Sequence, residues 1–155
     1  MNRDSPPLAL LLSLILSCGL AKTADAADDQ WRSIAGPVSA QIIRIIDGDT
    51  LEVDAHPWPG HAVRVSVRLR GIDTPERRSR CPDQRAAALM ARNELERLVS
   101  SVATVELVNV AGGKYYGRVL ADMKAGTRDI ASAMLASGLA RPYQGGTRHK
   151  PQCAG

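Results

Sequence analysis

Four acidic residues stand at two turn-like positions in the 155-residue chain. Asp47 and Asp49 lie in the run Asp-Gly-Asp-Thr (47–50), and Asp73 and Glu76 lie in Asp-Thr-Pro-Glu (73–76). Carboxylate oxygens are hard ligands and favour Ca²⁺ or Mg²⁺ over zinc or copper. Acids packed together also raise one another's pKa, and a divalent ion relieves that repulsion. Two arginines accompany them: Arg68, five residues before Asp73, and Arg118, directly after Tyr116-Gly117. A guanidinium grips phosphate through a two-pronged fork and keeps its charge at any working pH. Acids able to hold a cation beside fixed positive charge are what phosphodiester cleavage requires. Taken singly, each feature has a plainer reading. Asp-Gly-Asp-Thr also makes an ordinary hairpin, Asp-Thr-Pro-Glu an ordinary turn, and a strand arginine an ordinary solvated surface.

The elements that must position these residues are legible as alternating and helical patterns. Residues 38–46 (VSAQIIRII) are rich in β-branched side chains and read as a strand. Asp47-Gly48-Asp49 turns the chain into a second strand over 50–54. Two prolines in His56-Pro57-Trp58-Pro59-Gly60-His61 predict a loop; its two histidines could mark a metal, but a surface loop accounts for them. Residues 62–72 alternate, with Val63, Val65, Val67 and Leu69 on a core face and Arg64, Arg68 and Arg70 on a cationic one. Gly71 marks a bulge or bend.

Residues 82–100 read as a helix: Ala88, Ala91, Leu95, Leu98 and Val99 recur at helical spacing, and Pro82 suits the first turn. Strands follow over 102–110 and 115–123, joined through Gly112-Gly113. A short helix over 129–137 stops at Gly138, and a basic, loop-like tail begins at Arg141. Three strands, a helix, two strands and a helix are consistent with a small closed barrel packed by helices. A split α+β sandwich has the same order.

Composition bounds the class. The chain is 45% apolar and 23% charged with a net charge of +4, which excludes an acidic disordered protein. It has no Phe, and its aromatics are Trp31, Trp58, Tyr115, Tyr116 and Tyr143, so the core must be aliphatic. Residues 1–26 read as a secretory signal peptide: a charged start, the apolar run LALLLSLILSCGLA, and Ala24-Asp25-Ala26 as a cleavage pattern. Ile15-Leu16-Ser17-Cys18 loosely matches a lipoprotein box, which makes a lipid anchor at Cys18 a minority alternative. Residues 27–155 then form one domain, exported to the periplasm or secreted. That domain keeps the charge of +4, because the leader carries two basic and two acidic residues. A compact basic protein outside the cytoplasm has polyanionic partners, nucleic acid first. Cys81 and Cys153 remain as an even pair, which in an oxidising compartment predicts one disulfide tying the tail to the start of the first helix. A metal pair is the alternative, with poor zinc spacing.

The runs IIDGDTLEV, VRLRGIDTPE and KYYGRVLAD resemble the three signature segments of the thermonuclease (staphylococcal nuclease) family, and ASAMLASGLARPY resembles its following helix. The match covers most of residues 42–143, in order. The resemblance implies a mainly β fold with helices, a five-stranded OB-fold barrel of the staphylococcal nuclease type. It also implies a Ca²⁺-dependent nuclease that cleaves DNA and RNA to 3′-phosphate ends.

Position by position, it makes Asp49 and Asp73 the carboxylate ligands of Ca²⁺ and Thr74 a carbonyl ligand, with Asp47 a nearby acid outside direct ligation. Glu76 becomes the residue that orients or deprotonates the attacking water, and Arg68 and Arg118 the phosphate-binding arginines. Tyr116 is similar to the family's nucleotide-contacting tyrosine. Tyr143 lies one residue from the expected place of a second.

Two departures stand out. KYYGR carries an extra aromatic, so Tyr115 and Tyr116 could exchange roles, and RPYQGGTRHKPQCAG replaces the long C-terminal helix of the best-known members. Base stacking on tyrosine, with most contact to phosphate, implies a preference for single strands or frayed duplex. A monomer is expected. The competing class is a non-catalytic nucleic-acid-binding OB module. Retention of Asp49, Arg68, Asp73, Glu76 and Arg118 favours catalysis.

Overall fold

The computed structural model describes residues 32–147 and Cys153. The expected leader, Cys18 and Trp31 lie outside the described residues. In chain order the elements are β1 (Ser33–Ile34), β2 (Val38–Asp47), β3 (Thr50–Trp58), β4 (His61–Leu69), β5 (Ile72–Asp73), α1 (Pro82–Val99), β6 (Val105–Gly112), β7 (Arg118–Ala125), β8 (Arg128–Asp129), α2 (Ile130–Ala136) and β9 (Arg141–Pro142).

Strands β2, β3 and β4 form an antiparallel meander. β4 then pairs in parallel with β7, β7 pairs antiparallel with β6, and β6 returns to β2. That circuit closes a five-stranded barrel, which decides against the split α+β sandwich. Closure removes the long unpaired edges a five-stranded sheet would otherwise expose. The interior is aliphatic and sulfur-containing, with Leu51, Val53, Val67, Leu69, Leu107 and Met123 fully buried. Helix α1 covers one end with Ala88, Ala91, Leu95, Leu98 and Val99 buried, the five positions the helical spacing singles out. Helix α2 adds Ile130 and Met134, and the Asp129 side chain caps it by accepting from Ser132 N at 2.7 Å. Among the described residues no helix is long and apolar enough to cross a membrane.

Several sequence expectations are corrected. The stretch 56–61 is not a loop: β3 runs to Trp58, and Trp58 pairs with His61 across a tight Pro59-Gly60 turn. The register shift between Ala55 and Trp58 is what lets the ladder tolerate Pro57. Val63 is exposed rather than core, because β4 enters the barrel only from about Val65 onward. The strand expected at 102–110 begins three residues later, and the one expected at 115–123 begins at Arg118. The tail is not wholly loop-like, since β9 pairs with β5. At Gly71 the backbone takes φ +79, a conformation that glycine adopts readily, and this bend separates β4 from β5.

Candidate active site

The site is assembled where the β2–β3 hairpin turn meets the end of β4. Asp47 pairs with Thr50 across the turn, leaving Gly48 and Asp49 at its tip. The Asp49 carbonyl accepts from Leu69 N at 2.9 Å, which pins the turn to β4. The Asp49 side chain is 4% exposed, and each of its oxygens accepts twice. Oδ1 accepts from Thr50 Oγ1 at 2.8 Å and from Arg68 Nη1 at 2.5 Å; Oδ2 accepts from Thr74 N at 3.0 Å and Thr74 Oγ1 at 2.9 Å. A buried carboxylate is tolerable only when it is satisfied and charge-paired in this way.

Arg68 is the bridge. Its strand-alternation position points it away from the core, yet its side chain is only 13% exposed. While Nη1 meets Asp49, Nη2 donates to Asp73 Oδ1 at 3.0 Å and to the Ile72 carbonyl at 3.3 Å. Asp73 is itself buried, and Arg141 Nε stands 3.7 Å from its other oxygen, placed there by the β5–β9 pairing.

A cleft of about 110 Å³ collects Asp47, Asp49, Thr50, Arg68, Thr74, Glu76 and Arg118 around one opening. Asp73 does not line it. It lines a neighbouring cleft with Arg141 and joins the site through Arg68. Beside this opening, and sharing Arg68 and Arg118 with it, runs a larger groove of about 790 Å³ lined also by Lys114, Tyr115 and Tyr143. The Tyr115 ring lies 5.5 Å from the Arg118 guanidinium carbon and 5.6 Å from Lys114 Nζ, within cation–π range. Tyr143 is half-buried, its hydroxyl donating to the Gly146 carbonyl at 2.7 Å. Tyr116 is fully exposed and is not among the residues lining this groove.

The donors suit a hard cation in kind, since Asp49, Asp73, Glu76 and Thr74 present only oxygen. No group of three or more His, Cys, Asp or Glu is arranged to hold a metal among the described residues, and the carboxylates of Asp49 and Asp73 are spanned by Arg68 instead. Cys81 and Cys153 form a disulfide with Cα atoms 5.2 Å apart, so the thiols are not metal ligands.

Three nearby residues were not singled out in the sequence. Arg77 Nε lies 3.7 Å from Asp47, Arg141 lies against Asp73, and Lys114 lines the groove. Arg77 follows Glu76 directly and Lys114 opens the KYYGR run, so adjacency could have found both. Arg141 is placed only by tertiary pairing.

The sequence profile of the staphylococcal nuclease homologue family matches residues 66–153. A curated protein of Escherichia coli, Protein ParB, is 30% identical over 121 residues, and the alignment covers 76% of this chain and 62% of that protein. The chain thus spans somewhat under two thirds of that relative's length. The barrel circuit, the shared cleft and the profile agree, and the chain belongs to the staphylococcal nuclease homologue family, whose members are typically nucleases.

Proposed function

We propose that this chain is an exported, calcium-dependent endonuclease that hydrolyses DNA and RNA to 3′-phosphate ends. The observation that carries the reading is that Arg68, Arg118 and Glu76 line one small opening with Asp49, while Arg68 also reaches Asp73. A bare binding module has no need of a buried carboxylate pair clamped by a guanidinium that also lines its cleft. Asp49, Asp73 and Thr74 would hold calcium only by displacing donors that now occupy the Asp49 and Asp73 oxygens, and the ion would then supply positive charge that makes the phosphorus more electrophilic. Glu76 accepts a proton from a water aligned for in-line attack. The new P–O bond forms as the bond to the 5′ oxygen breaks, leaving a 3′-phosphate, and the departing 5′ oxygen takes a proton from solvent water to become the 5′-hydroxyl. Arg68 and Arg118 donate to the phosphate oxygens as charge accumulates there.

The groove supports single-stranded or frayed substrate, because Tyr115 and Tyr143 offer faces on which unpaired bases can stack. The disulfide supports export, since such bonds persist in oxidising compartments. A signal peptide over residues 1–26, a nuclease domain over 27–155, periplasmic or secreted location and a monomeric state complete the proposal. Digestion of plasmid DNA and RNA by the mature chain, with calcium and then with chelator, tests it. Cleavage that calcium supports and chelator stops is expected; tight binding with no cleavage selects a binding module instead.

A further inference from the structure

The segment between β5 and α1 carries Glu76 and, directly after it, Arg77, Arg78 and Arg80, all exposed. It is braced along its whole length. At its start Thr74 is held by two hydrogen bonds to Asp49, and at its end Cys81 is buried and bonded to Cys153. Between them Ser79 N donates to the Glu76 carbonyl at 3.1 Å, and Arg85 Nη1 donates to the carbonyls of Ser79 (3.2 Å) and Arg80 (3.0 Å). Arg77 is engaged with Asp47. Arg78 and Arg80 make no ion pair among the described residues.

Two guanidiniums therefore stand on this corner within four residues of Glu76, with no ion pair among the described residues. The position of that corner matters. The groove with Tyr115, Lys114 and Tyr143 takes no lining residue from this segment, whereas the small cleft takes Thr74, Pro75 and Glu76 from it. The arginine corner thus adjoins the cleft through Glu76 and takes no part in lining the tyrosine groove.

We propose that Arg78 and Arg80 form a second phosphate-contact surface, which grips a single nucleic-acid strand beside the cleft, on the segment that carries Glu76. The inference rests on the nuclease reading and adds to it that recognition extends across both sides of the scissile position. A strand lying in the tyrosine groove with one phosphate in the cleft continues over this corner. Guanidiniums carried on this braced backbone contact its phosphates without reading sequence. The surface serves polymers, and a dinucleotide that fills only the groove and the cleft does not reach it.

The test uses the full chain, with Arg78 and Arg80 both replaced by alanine, and compares a long oligothymidylate with a dinucleotide. Binding is measured in chelator, so it does not depend on turnover. Each single-strand phosphate contact contributes a slope of about −0.7 in log affinity against log salt. The double variant is expected to flatten the slope for the long strand by about 1.4 for two contacts, leave dinucleotide binding unchanged, and recover the slope when both positions are lysine. An unchanged slope overturns the proposal, as does equal weakening for the dinucleotide. Loss of binding to anionic lipid vesicles with the strand slope intact also overturns it and assigns the corner to membranes. Failure of the wild-type chain to cleave removes the nuclease reading alone, because the slope is still measurable.

Discussion

Gly48 lies so close to Ala91 of α1 that a β-carbon at position 48 would stand 2.6 Å from the Ala91 β-carbon, and 3.1 Å from Thr74 Cγ2. The turn that carries Asp49 is thus wedged between the helix and Thr74, whose N–H and hydroxyl hold the Asp49 carboxylate. Gly48→Ala is expected to cost about 1–3 kcal/mol of stability, the usual penalty for overpacking, and to lower activity by shifting Asp49. Replacing Ala91 with glycine in the same chain restores part of the loss. Chemical denaturation of both variants beside a cleavage assay measures it; an unchanged midpoint in the single variant would show that the contact is not tight.

Removal of Arg68 acts on stability and on rate at once. Arg68→Ala leaves the buried Asp49 and Asp73 side chains, 4% and 6% exposed, without the guanidinium that spans them. The expected cost is about 3–5 kcal/mol of folding stability, as for other broken buried ion pairs. Calcium should restore part of the lost melting temperature. Cleavage should fall by about 10²–10³ fold, as for loss of one transition-state donor. A melting temperature equal to wild type in chelator refutes this account.

Glu76→Gln separates the two jobs of the acids. Glu76 lines the opening and is exposed, whereas Asp49 and Asp73 are buried. Calcium affinity by calorimetry should be close to wild type while the cleavage rate collapses. A variant that cuts at the wild-type rate would show that another group handles the proton.

The two adjacent tyrosines should behave differently. Tyr115 lines the groove between Arg118 and Lys114, whereas Tyr116 projects into solvent. Tyr115→Ala should weaken single-strand binding by about 1–3 kcal/mol, the worth of one stacked base, and Tyr116→Ala should change it little. Fluorescence titration of an oligothymidylate against both variants decides between them.

Away from the site, Arg64 grips Asp54 with a two-pronged fork at 2.9 and 2.8 Å. The hydrogen bonds from Arg64 hold the Asp54 carboxyl below the usual aspartate range. A depressed carboxylate contributes stability above its unfolded pKa and loses it as pH falls through the folded value. The difference in stability between wild type and Arg64→Ala should therefore be present at neutral pH and vanish in acid. Carboxyl NMR titration of Asp54 should show its midpoint rising in the variant.

Much of this was legible before any coordinates. The alternation in β4, the helical spacing of Ala88, Ala91, Leu95, Leu98 and Val99, and the Asp-Gly turn are local signals, because each depends on residues a few positions apart. The pairing of Cys81 with Cys153 was legible once Cys18 was assigned to the expected leader and two cysteines remained. Barrel closure was not, since the parallel β4–β7 and antiparallel β2–β6 pairings join residues tens of positions apart and leave no local mark. Nor could the letters tell which of Tyr115 and Tyr116 faces the groove: both flank the same Gly117 turn, and only the path of the chain into β7 orients them. The residue types set what chemistry is available, through charge and ligand hardness. Distance decided which of those residues act together, because Arg141 reaches Asp73 and Arg68 spans two carboxylates only once β4, β5 and β9 have been brought side by side.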